Sequence, residues 1–355
     1  MSKNPYSDLP KSAFWRTGVA QKNTHNFEAL YHKKFDISAR DKIATAGSCF
    51  AQHISHNLKS NGYNVLDLEP PPRGLSRELN QKHGFSLYSA RYGNIYTVKQ
   101  LLQLALEVAG VRHPQGWIWE KHGKYYDALR PSVEPEGLDS MEEVIEHRRH
   151  HISRVKKLFK KLDLFIFTLG LTEMWSHKPS GTIFPTAPGV IAGKFEKNIY
   201  EFKNASYEEI VSDFNEFVRV VKMIRKGKDF KMILTVSPVP LTATYSKAHI
   251  LVANTHSKSI LRSAAAQLST SNNIDYFPSY EIVTNPRDIS NAYNANLRSV
   301  KNETVKLVMK HFFAQHPILN KRNISPRLNR KSKPAKTQGR EDIQCEDILL
   351  EAFSK

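Results

Sequence analysis

The amino-acid sequence predicts an α/β fold in which three layers, α/β/α, are built around a mainly parallel sheet. Apolar runs of the kind that form strands buried on both faces lie at 42–46, 162–170 and 231–240. Amphipathic stretches with helical periodicity, such as 97–110 and 206–227, separate these runs. Strands that alternate with helices in this way are typical of a parallel sheet covered by helices.

The N-terminal half of the predicted domain runs from a buried strand to a long helix. Gly62 follows the first helix at a position that favours a left-handed residue, and three prolines within 69–84 argue against regular structure there. His122 and Gly123 form the turn of a predicted hairpin. In chain order we expect a strand at 42–46, a helix at 49–60, a strand at 64–68, a loop at 69–84, a helix at 97–110, a hairpin and loop at 117–137 and a helix at 141–162.

The C-terminal half repeats the alternation of strands and helices. Ser206 and Glu209 are three residues apart, which is the spacing of a capping box at the start of a helix. In chain order we expect a strand at 162–170, a helix at 206–227, a strand at 231–240, a helix at 254–270, a strand with its loop at 273–283 and a helix at 302–313.

Length and composition predict one large folded domain with irregular ends. The chain has 355 residues, of which 40% are hydrophobic, and this is enough for a large core. We predict an irregular lead-in at 1–40, the domain at 41–316, a basic flexible linker at 317–340 and a short amphipathic helix within 341–355. That last helix is expected to dock on the body of the protein or on a partner.

Eight of the eighteen excess positive charges lie in one segment near the C-terminus. Eight basic residues and no acidic residue occur within 317–340; they are Lys321, Arg322, Arg327, Arg330, Lys331, Lys333, Lys336 and Arg340. Such a run is either a solvated linker or a binding segment for an anionic partner. Because no aromatic residue interrupts it, a stacking platform for single-stranded nucleic acid is not indicated.

Several classes of protein are not expected from this sequence. No apolar run approaches the roughly 20 residues that cross a bilayer, and the N-terminal stretch lacks the apolar core of a secretory signal. Two cysteines, Cys49 and Cys345, make no disulfide framework, so we expect a cytoplasmic protein. CxxC, HExxH, P-loop and GxGxxG patterns are missing, so we expect no metal and no nucleotide cofactor. An acyl-CoA donor would leave no short motif.

Polar clusters follow the predicted strands, at the edge of the sheet where ligands of such folds bind. They lie at 47–49, 170–175 and 237–244, and the loop 89–97 adds a glycine next to an asparagine. Turns of this kind present backbone N–H groups to an oxyanion. The sequence therefore places a candidate site at the carboxyl ends of the strands.

Six ordered blocks of the sequence resemble the GSCFA family. They are GSCFAQHI (47–54), SARYGNIYT (89–97), FTLGLTEMW (167–175), TVSPVPLTAT (235–244), NTHSKSILR (254–262) and YFPSYEIV (276–283). The resemblance covers about residues 40–315. The family in turn resembles SGNH or GDSL-type esterases and acyltransferases, which implies an SGNH-hydrolase-like, flavodoxin-like arrangement of the three layers.

The resemblance to SGNH enzymes implies roles for individual residues. Ser48 takes the position of the serine nucleophile, and its own N–H would be one oxyanion donor. Gly93 and Asn94 would supply further donors. The third SGNH block is Gly-x-Asn-Asp, but here Gly170 is followed by Leu171, Thr172 and Glu173, so Thr172 or Glu173 stands where the amide donor is expected.

The last SGNH block, Asp-x-x-His, is missing. Before the final helix the sequence reads Asn296-Leu297-Arg298-Ser299, so neither the acid nor the base is present. A serine needs a base to be a good nucleophile. Three alternatives remain open: Asp288 acts instead, the site binds without catalysing, or a histidine from elsewhere is the base. The histidine candidates are His53, His151, His177 and His256.

Several candidate site residues also have ordinary structural interpretations. Ser48 could cap the first helix, and Cys49 is either a second candidate nucleophile or a small buried apolar residue. Glu173 is either an acid–base group with a raised pKa or a member of an ion pair. The alternative for His151 is a solvated helix face, and for His53 a partly buried helix position.

A last group of residues is assigned to substrate binding. It consists of Asp127, Arg130, Tyr92 and Trp175. An arginine can grip a carboxylate or phosphate through two hydrogen bonds. The alternative for Asp127 and Arg130 is a mutual salt bridge that fixes their loop.

Two functions remain after these interpretations. The first is an SGNH-like serine esterase or O-acyltransferase that forms an acyl-enzyme at Ser48 and acts on an acyl ester of a small molecule, glycan or surface polysaccharide. The second is a catalytically degenerate protein of the same fold that binds a glycan or acyl group, with its basic tail on an anionic partner.

Overall fold

The computed structural model describes residues 4–22, 27, 29–318 and 346–353. Within these residues the strands are β1 (Ile43–Gly47), β2 (Ile118–Lys121), β3 (Lys124–Asp127), β4 (Leu164–Leu169), β5 (Glu173–His177), β6 (Thr182–Phe184), β7 (Tyr200–Asn204), β8 (Lys231–Val236) and β9 (Ile274–Tyr276). The α-helices are α1 (Phe50–Ser60), α2 (Arg77–Lys82), α3 (Val98–Ala109), α4 (Met141–Lys161), α5 (Tyr207–Ile224), α6 (Ile250–Leu268), α7 (Ser279–Thr284), α8 (Ile289–Ala292) and α9 (Asn302–Gln315).

A four-stranded parallel sheet in the order β1-β4-β8-β9 lies at the centre of the fold. Helices α3, α4, α5 and α6 pack on one face, and α1, α7 and α9 pack on the other. The predicted α/β/α arrangement around a mainly parallel sheet is confirmed.

The strands of this sheet alternate their side chains between the two apolar cores. On β4, Phe165 and Phe167 face the larger core under α3–α6, whereas Leu164 and Ile166 face the smaller core under α1 and α9. Because both faces are covered, the alternating side chains are all apolar and the sequence reads as a continuous run. This explains why the buried strands could be recognised from the sequence.

Most predicted elements are confirmed, with four corrections. Residues 64–68 do not form a strand: only Val65 makes a parallel bridge, to Ile43. The predicted loop 69–84 contains α2, which Ser76 caps through the N–H of Leu79 at 3.2 Å. The prolines of that stretch precede α2 and therefore do not interrupt it.

The other two corrections concern strand ends and a missed sheet. Strands β8 and β9 end before 237 and 277, and 279–284 is helix α7. Strands β5, β6 and β7 form an antiparallel sheet that the sequence analysis did not predict. Its strands have three to five residues, too few for a recognisable period.

The ends of the chain are only partly described. The predicted irregular lead-in includes two short helical turns, Lys11–Ala13 and Arg16–Ala20. Residues 319–340 of the predicted basic linker lie outside the described residues, and the predicted C-terminal helix is a 3-10 helix at Glu346–Phe353. In the described part of the chain, no helix combines the length and apolar character needed to cross a membrane.

Gly47 joins β1 to the turn before α1 at the point where β1 meets β4. Its φ is +139°, and a Cβ added there would lie 2.5 Å from the carbonyl oxygen of Thr168. Only glycine satisfies both conditions, because other residues rarely adopt this φ and have no room for a side chain.

We expect Gly47→Ala to lower the free energy of unfolding by about 2–5 kcal/mol, because backbone strain and overpacking add at this position. Gly74→Ala is the matched control: Gly74 also has a positive φ, +87°, but no atom lies within 4 Å of an added Cβ. Urea denaturation followed by circular dichroism measures both. A loss at Gly47 no larger than at Gly74 would contradict the steric explanation.

Candidate active site

Ser48 lies on the turn between β1 and α1, at the carboxyl edge of the sheet. It is 3% exposed, and its Oγ makes no hydrogen bond with another described atom. Helix α1 begins without a side-chain cap, so the interpretation of Ser48 as an N-cap is wrong. The Ser48 N–H, expected as an oxyanion donor, donates to the carbonyl of Thr168 at 3.2 Å and is held by the sheet.

The loop 89–97 pairs with the open edge of β1 and thereby reaches the site. The N–H of Thr45 donates to Ser89 Oγ at 3.0 Å, and the N–H of Ile95 donates to the carbonyl of Gly47 at 2.9 Å. The loop therefore replaces a neighbouring strand along β1 and brings Gly93, with a φ of +69°, to this end of the sheet.

Asn94 is buried and linked to the backbone of Ser48. Its Oδ1 accepts hydrogen bonds from the Tyr88 hydroxyl and from Gln52 Nε2, the latter at 3.2 Å. The Tyr88 hydroxyl is also 3.1 Å from the carbonyl oxygen of Ser48. The Tyr88 side chain thus links the amide of Asn94 to the backbone of Ser48.

Gly170 directly follows β4 and packs against Ser48. A Cβ at Gly170 would lie 3.0 Å from the Ser48 Cβ and 3.0 Å from the Tyr96 carbonyl oxygen, so a side chain would displace one of them. The carbonyl of Gly170 accepts a hydrogen bond of 2.8 Å from Lys258 Nζ. The backbone of Gly170 thus connects the serine to a lysine.

The sequence analysis did not select Lys258, which lies on α6 and is 1% exposed. Fully buried lysines are rare and need a polar partner. A signal was available: Lys258 precedes the buried Leu261 and Ala265 by three and seven residues, so it belongs to the apolar stripe of α6.

Thr172, which the resemblance to SGNH enzymes aligns with their amide donor, is fully buried. Its N–H donates to Ser257 Oγ at 3.1 Å, and its carbonyl accepts from the N–H of Ala205 at 2.9 Å. Its own hydroxyl makes no hydrogen bond with a described atom. The segment 170–173 is therefore fixed by its backbone, while the hydroxyls of Ser48, Thr168 and Thr172 make no hydrogen bond with a described atom.

Glu173 begins β5 and lies half-buried in a groove with a volume of about 720 Å³. Its carboxylate accepts from the hydroxyl of Thr244 at 2.6 Å and from the N–H of Tyr245 at 3.4 Å. Burial raises the pKa of Glu173, as the acid–base interpretation expects. Trp175 and Leu171 line the same groove, so the segment after Gly170 leads from Ser48 into it.

The segment 296–299, which the resemblance to SGNH enzymes aligns with Asp-x-x-His, has a structural role. Asn296 Oδ1 accepts from the N–H groups of Arg298 and Ser299, and its Nδ2 donates to Ser299 Oγ at 3.0 Å. Arg298 Nε donates to the carbonyl of Pro240 at 3.2 Å, and the Tyr293 hydroxyl donates to that of Pro238 at 2.9 Å. The segment thus holds the loop after β8 through backbone carbonyls.

A comparison with models of protein families matches residues 42–312 to the GSCFA family. The chain belongs to the GSCFA family. All six blocks quoted above lie within the matched residues, so the predicted membership is confirmed. A comparison with curated proteins finds no match.

His151 of this GSCFA protein is not on a solvated helix face, contrary to that alternative. It is fully buried on α4, and its Nδ1 lies 2.7 Å from Glu69 Oε2. Burial and the nearby Arg130 lower the pKa of His151 to about 4, so at neutral pH the imidazole is uncharged and donates to the carboxylate. The Tyr92 ring packs against His151, and the Tyr92 hydroxyl donates to the carbonyl of Thr45, so Tyr92 connects His151 to the middle of β1.

The other candidate bases have no described contact with Ser48. His53 is buried against Phe50 in the smaller core, with ring centroids 5.6 Å apart. His177 Nδ1 lies 2.8 Å from Ser180 Oγ at the far end of β5, and His256 is exposed on α6. Asp288 adjoins α8, and Cys49 is buried at the start of α1.

Asp127 and Arg130 were expected to bind substrate, with a mutual salt bridge as the alternative interpretation. The structure contains this salt bridge. Arg130 Nε lies 2.7 Å from Asp127 Oδ2, and Arg148 of α4 lies 3.3 Å from the same oxygen. Arg148 also pairs with Glu107 of α3. Because all four side chains are nearly buried, this network joins the hairpin to two helices of the larger core.

We expect Asp127→Asn to lower the free energy of unfolding by about 3–5 kcal/mol, because it leaves two buried guanidinium groups short of a carboxylate. The control is Asp139→Asn, which removes an ion pair with Lys124 whose side chains are 76% and 46% exposed. That change is expected to cost less than about 1 kcal/mol. Equal losses in chemical denaturation would contradict the buried network.

We expect the protein to lose stability as the pH falls from about 6.5 to about 4. Burial lowers the pKa of His53 to about 4 and that of His316 to about 4, so in this range the unfolded chain binds protons that the folded chain does not. His53→Gln should flatten the dependence of Tm on pH, because one such group is removed. The exposed control His256→Gln should follow the wild type; an unchanged slope in His53→Gln would contradict this explanation.

Proposed function

We propose that this protein is a serine-dependent esterase or O-acyltransferase that acts on acyl esters, such as those of glycans or surface polysaccharides. The proposal rests on one observation. The Ser48 hydroxyl, at the end of the first strand, makes no structural hydrogen bond and packs against Gly170, whose carbonyl binds the buried Lys258.

We assign to Lys258 the role of the missing general base. Serine–lysine pairs replace serine–histidine pairs in several hydrolases, because an uncharged amine accepts the hydroxyl proton. In its neutral form Lys258 would take the proton of Ser48 Oγ as the oxygen attacks the acyl carbonyl. The protonated amine would then give that proton to the leaving alcohol, and an acyl-enzyme would remain on Ser48.

The second half-reaction decides between hydrolysis and transfer. Water or an acceptor hydroxyl would attack the acyl-enzyme, with Lys258 again taking and returning a proton. The N–H of Gly93 and the amide of Asn94 are the oxyanion donors we propose, because the N–H of Ser48 is bonded to Thr168. Substrate would enter from the groove next to Leu171.

The alternative function is binding without catalysis. Asn296 and Ser299 hydrogen-bond to each other where SGNH enzymes have their acid and base, and this favours a site that has lost catalysis. Under this alternative a glycan or acyl group would occupy the groove and Ser48 would have no chemical role.

The two functions are separated by hydrolysis of p-nitrophenyl acetate and p-nitrophenyl octanoate, together with transfer to an alcohol acceptor. We expect Ser48→Ala and Lys258→Met each to lower kcat/KM by about 10³-fold or more, because the nucleophile and its base act as one unit. Ser259→Ala, at an exposed position beside Lys258 on α6, is the matched control and should keep wild-type activity.

Cys49→Ala tests the neighbouring thiol and should also remain active. Activity that persists in Ser48→Ala, or that is missing from the wild type, would contradict the serine mechanism. If Lys258→Met is active and Ser48→Ala is inactive, Ser48 is the nucleophile but Lys258 is not its base. Thermal melts of each variant separate lost chemistry from lost fold.

A further inference from the structure

The groove that contains Glu173 differs in charge from the rest of the protein. The sequence has 52 basic and 34 acidic residues, yet the charged side chains among the described residues that line the groove are Glu173 and Glu351. No lysine, arginine or histidine is among these lining residues. The groove is therefore an acidic site in a strongly basic molecule.

Among the described residues Glu173 forms no ion pair within 4.0 Å, and the charge of His256 is the weakest of the influences on its pKa. The two described hydrogen bonds of Glu173 come from Thr244 and Tyr245. A half-buried carboxylate without a counter-ion is unfavourable, and burial raises its pKa accordingly. A positive group in the groove would remove this penalty.

Aromatic rings surround the position where such a group would lie. The Trp175 ring contacts those of Phe195, Phe202 and Tyr245, with centroid distances of 5.3, 6.0 and 4.9 Å. Tyr245 is 60% exposed and Phe195 is 41% exposed, so parts of this aromatic wall face the open groove. Aromatic faces attract cations, and tryptophan does so most strongly.

The C-terminal helix Glu346–Phe353 provides a second wall. Leu350 and Phe353 both line the groove. In a 3-10 helix, residues three apart lie on the same face, so these two side chains form one apolar surface. Phe353 is still 67% exposed, which shows that the helix borders the groove without filling it.

We propose that the groove binds an amphiphilic organic cation, with its positive group between Glu173 and Trp175 and its apolar tail between the aromatic wall and Leu350 and Phe353. The volume of about 720 Å³ falls within the range of ligand sites, which is about 300–1,000 Å³. A ligand of this kind would neutralise Glu173 and cover apolar surface on both walls. The proposal does not depend on catalysis at Ser48.

Isothermal titration calorimetry on the full chain with decyltrimethylammonium, below its micelle concentration, tests the proposal. Sodium decyl sulfate has a tail of the same length and the opposite charge. Non-specific attraction to a protein of charge +18 favours the sulfate, so preferential 1:1 binding of the ammonium compound would identify a local acidic site. We expect one ammonium site, with at least tenfold weaker affinity for the sulfate there.

Single substitutions test whether both walls of the groove contribute to binding. We expect Glu173→Gln and Trp175→Leu each to weaken ammonium binding at least fivefold, and Phe353→Ala to weaken it several-fold. Leu349→Ala is the matched control, because Leu349 lies in the same helix but does not line the groove. Circular dichroism melts confirm that each variant is folded.

Three results would overturn the proposal: no saturable binding of the ammonium compound, equal affinity in wild type and Glu173→Gln, or equal affinity for the sulfate at the same site. Wild-type affinity in Phe353→Ala would remove the C-terminal helix from the site. Ser48→Ala should bind like the wild type, so a failure of the esterase proposal and a failure of this one give different results.

Discussion

The close approach of β1 and β4 at their carboxyl ends is the constraint on which the site depends. Gly47 lies against the backbone of Thr168, and Ser48 lies against Gly170, so neither glycine has room for a Cβ. This contact sets the position of Ser48 relative to the sheet. It also sets the path of segment 170–173, which continues to Lys258 through a carbonyl and to the groove through Glu173.

Polar groups in this protein fall into two classes that the sequence alone does not separate. Arg148 and Asp127 pair with each other inside the core, so these two charged groups stabilise the fold and are not available to a ligand. Ser48 makes no such hydrogen bond, and Glu173 has no ion pair with a described residue. Functional sites commonly leave polar groups in this state, because a substrate or ligand supplies the missing partner.

The central sheet could be predicted because its strands are buried on both faces, whereas contacts between distant segments could not. The run 162–170 indicates a strand without any tertiary information. Glu69, in a proline-rich loop, gives no sign that it will meet His151, and the exposed charges around His151 hide its burial. Lys258 is an intermediate case: the helical stripe predicts that it is buried, but its contact with Gly170 depends on how α6 packs.

The pairing of β1 with β4 also affects how the protein folds. Ile43 pairs with Leu164, about 120 residues later, and the whole of the hairpin region and α4 must be synthesised before this pairing forms. Contacts between such distant segments form slowly, because the entropy of closing the intervening loop opposes them. A fragment that ends before β4 therefore contains the GSCFA sequence without the geometry of the site.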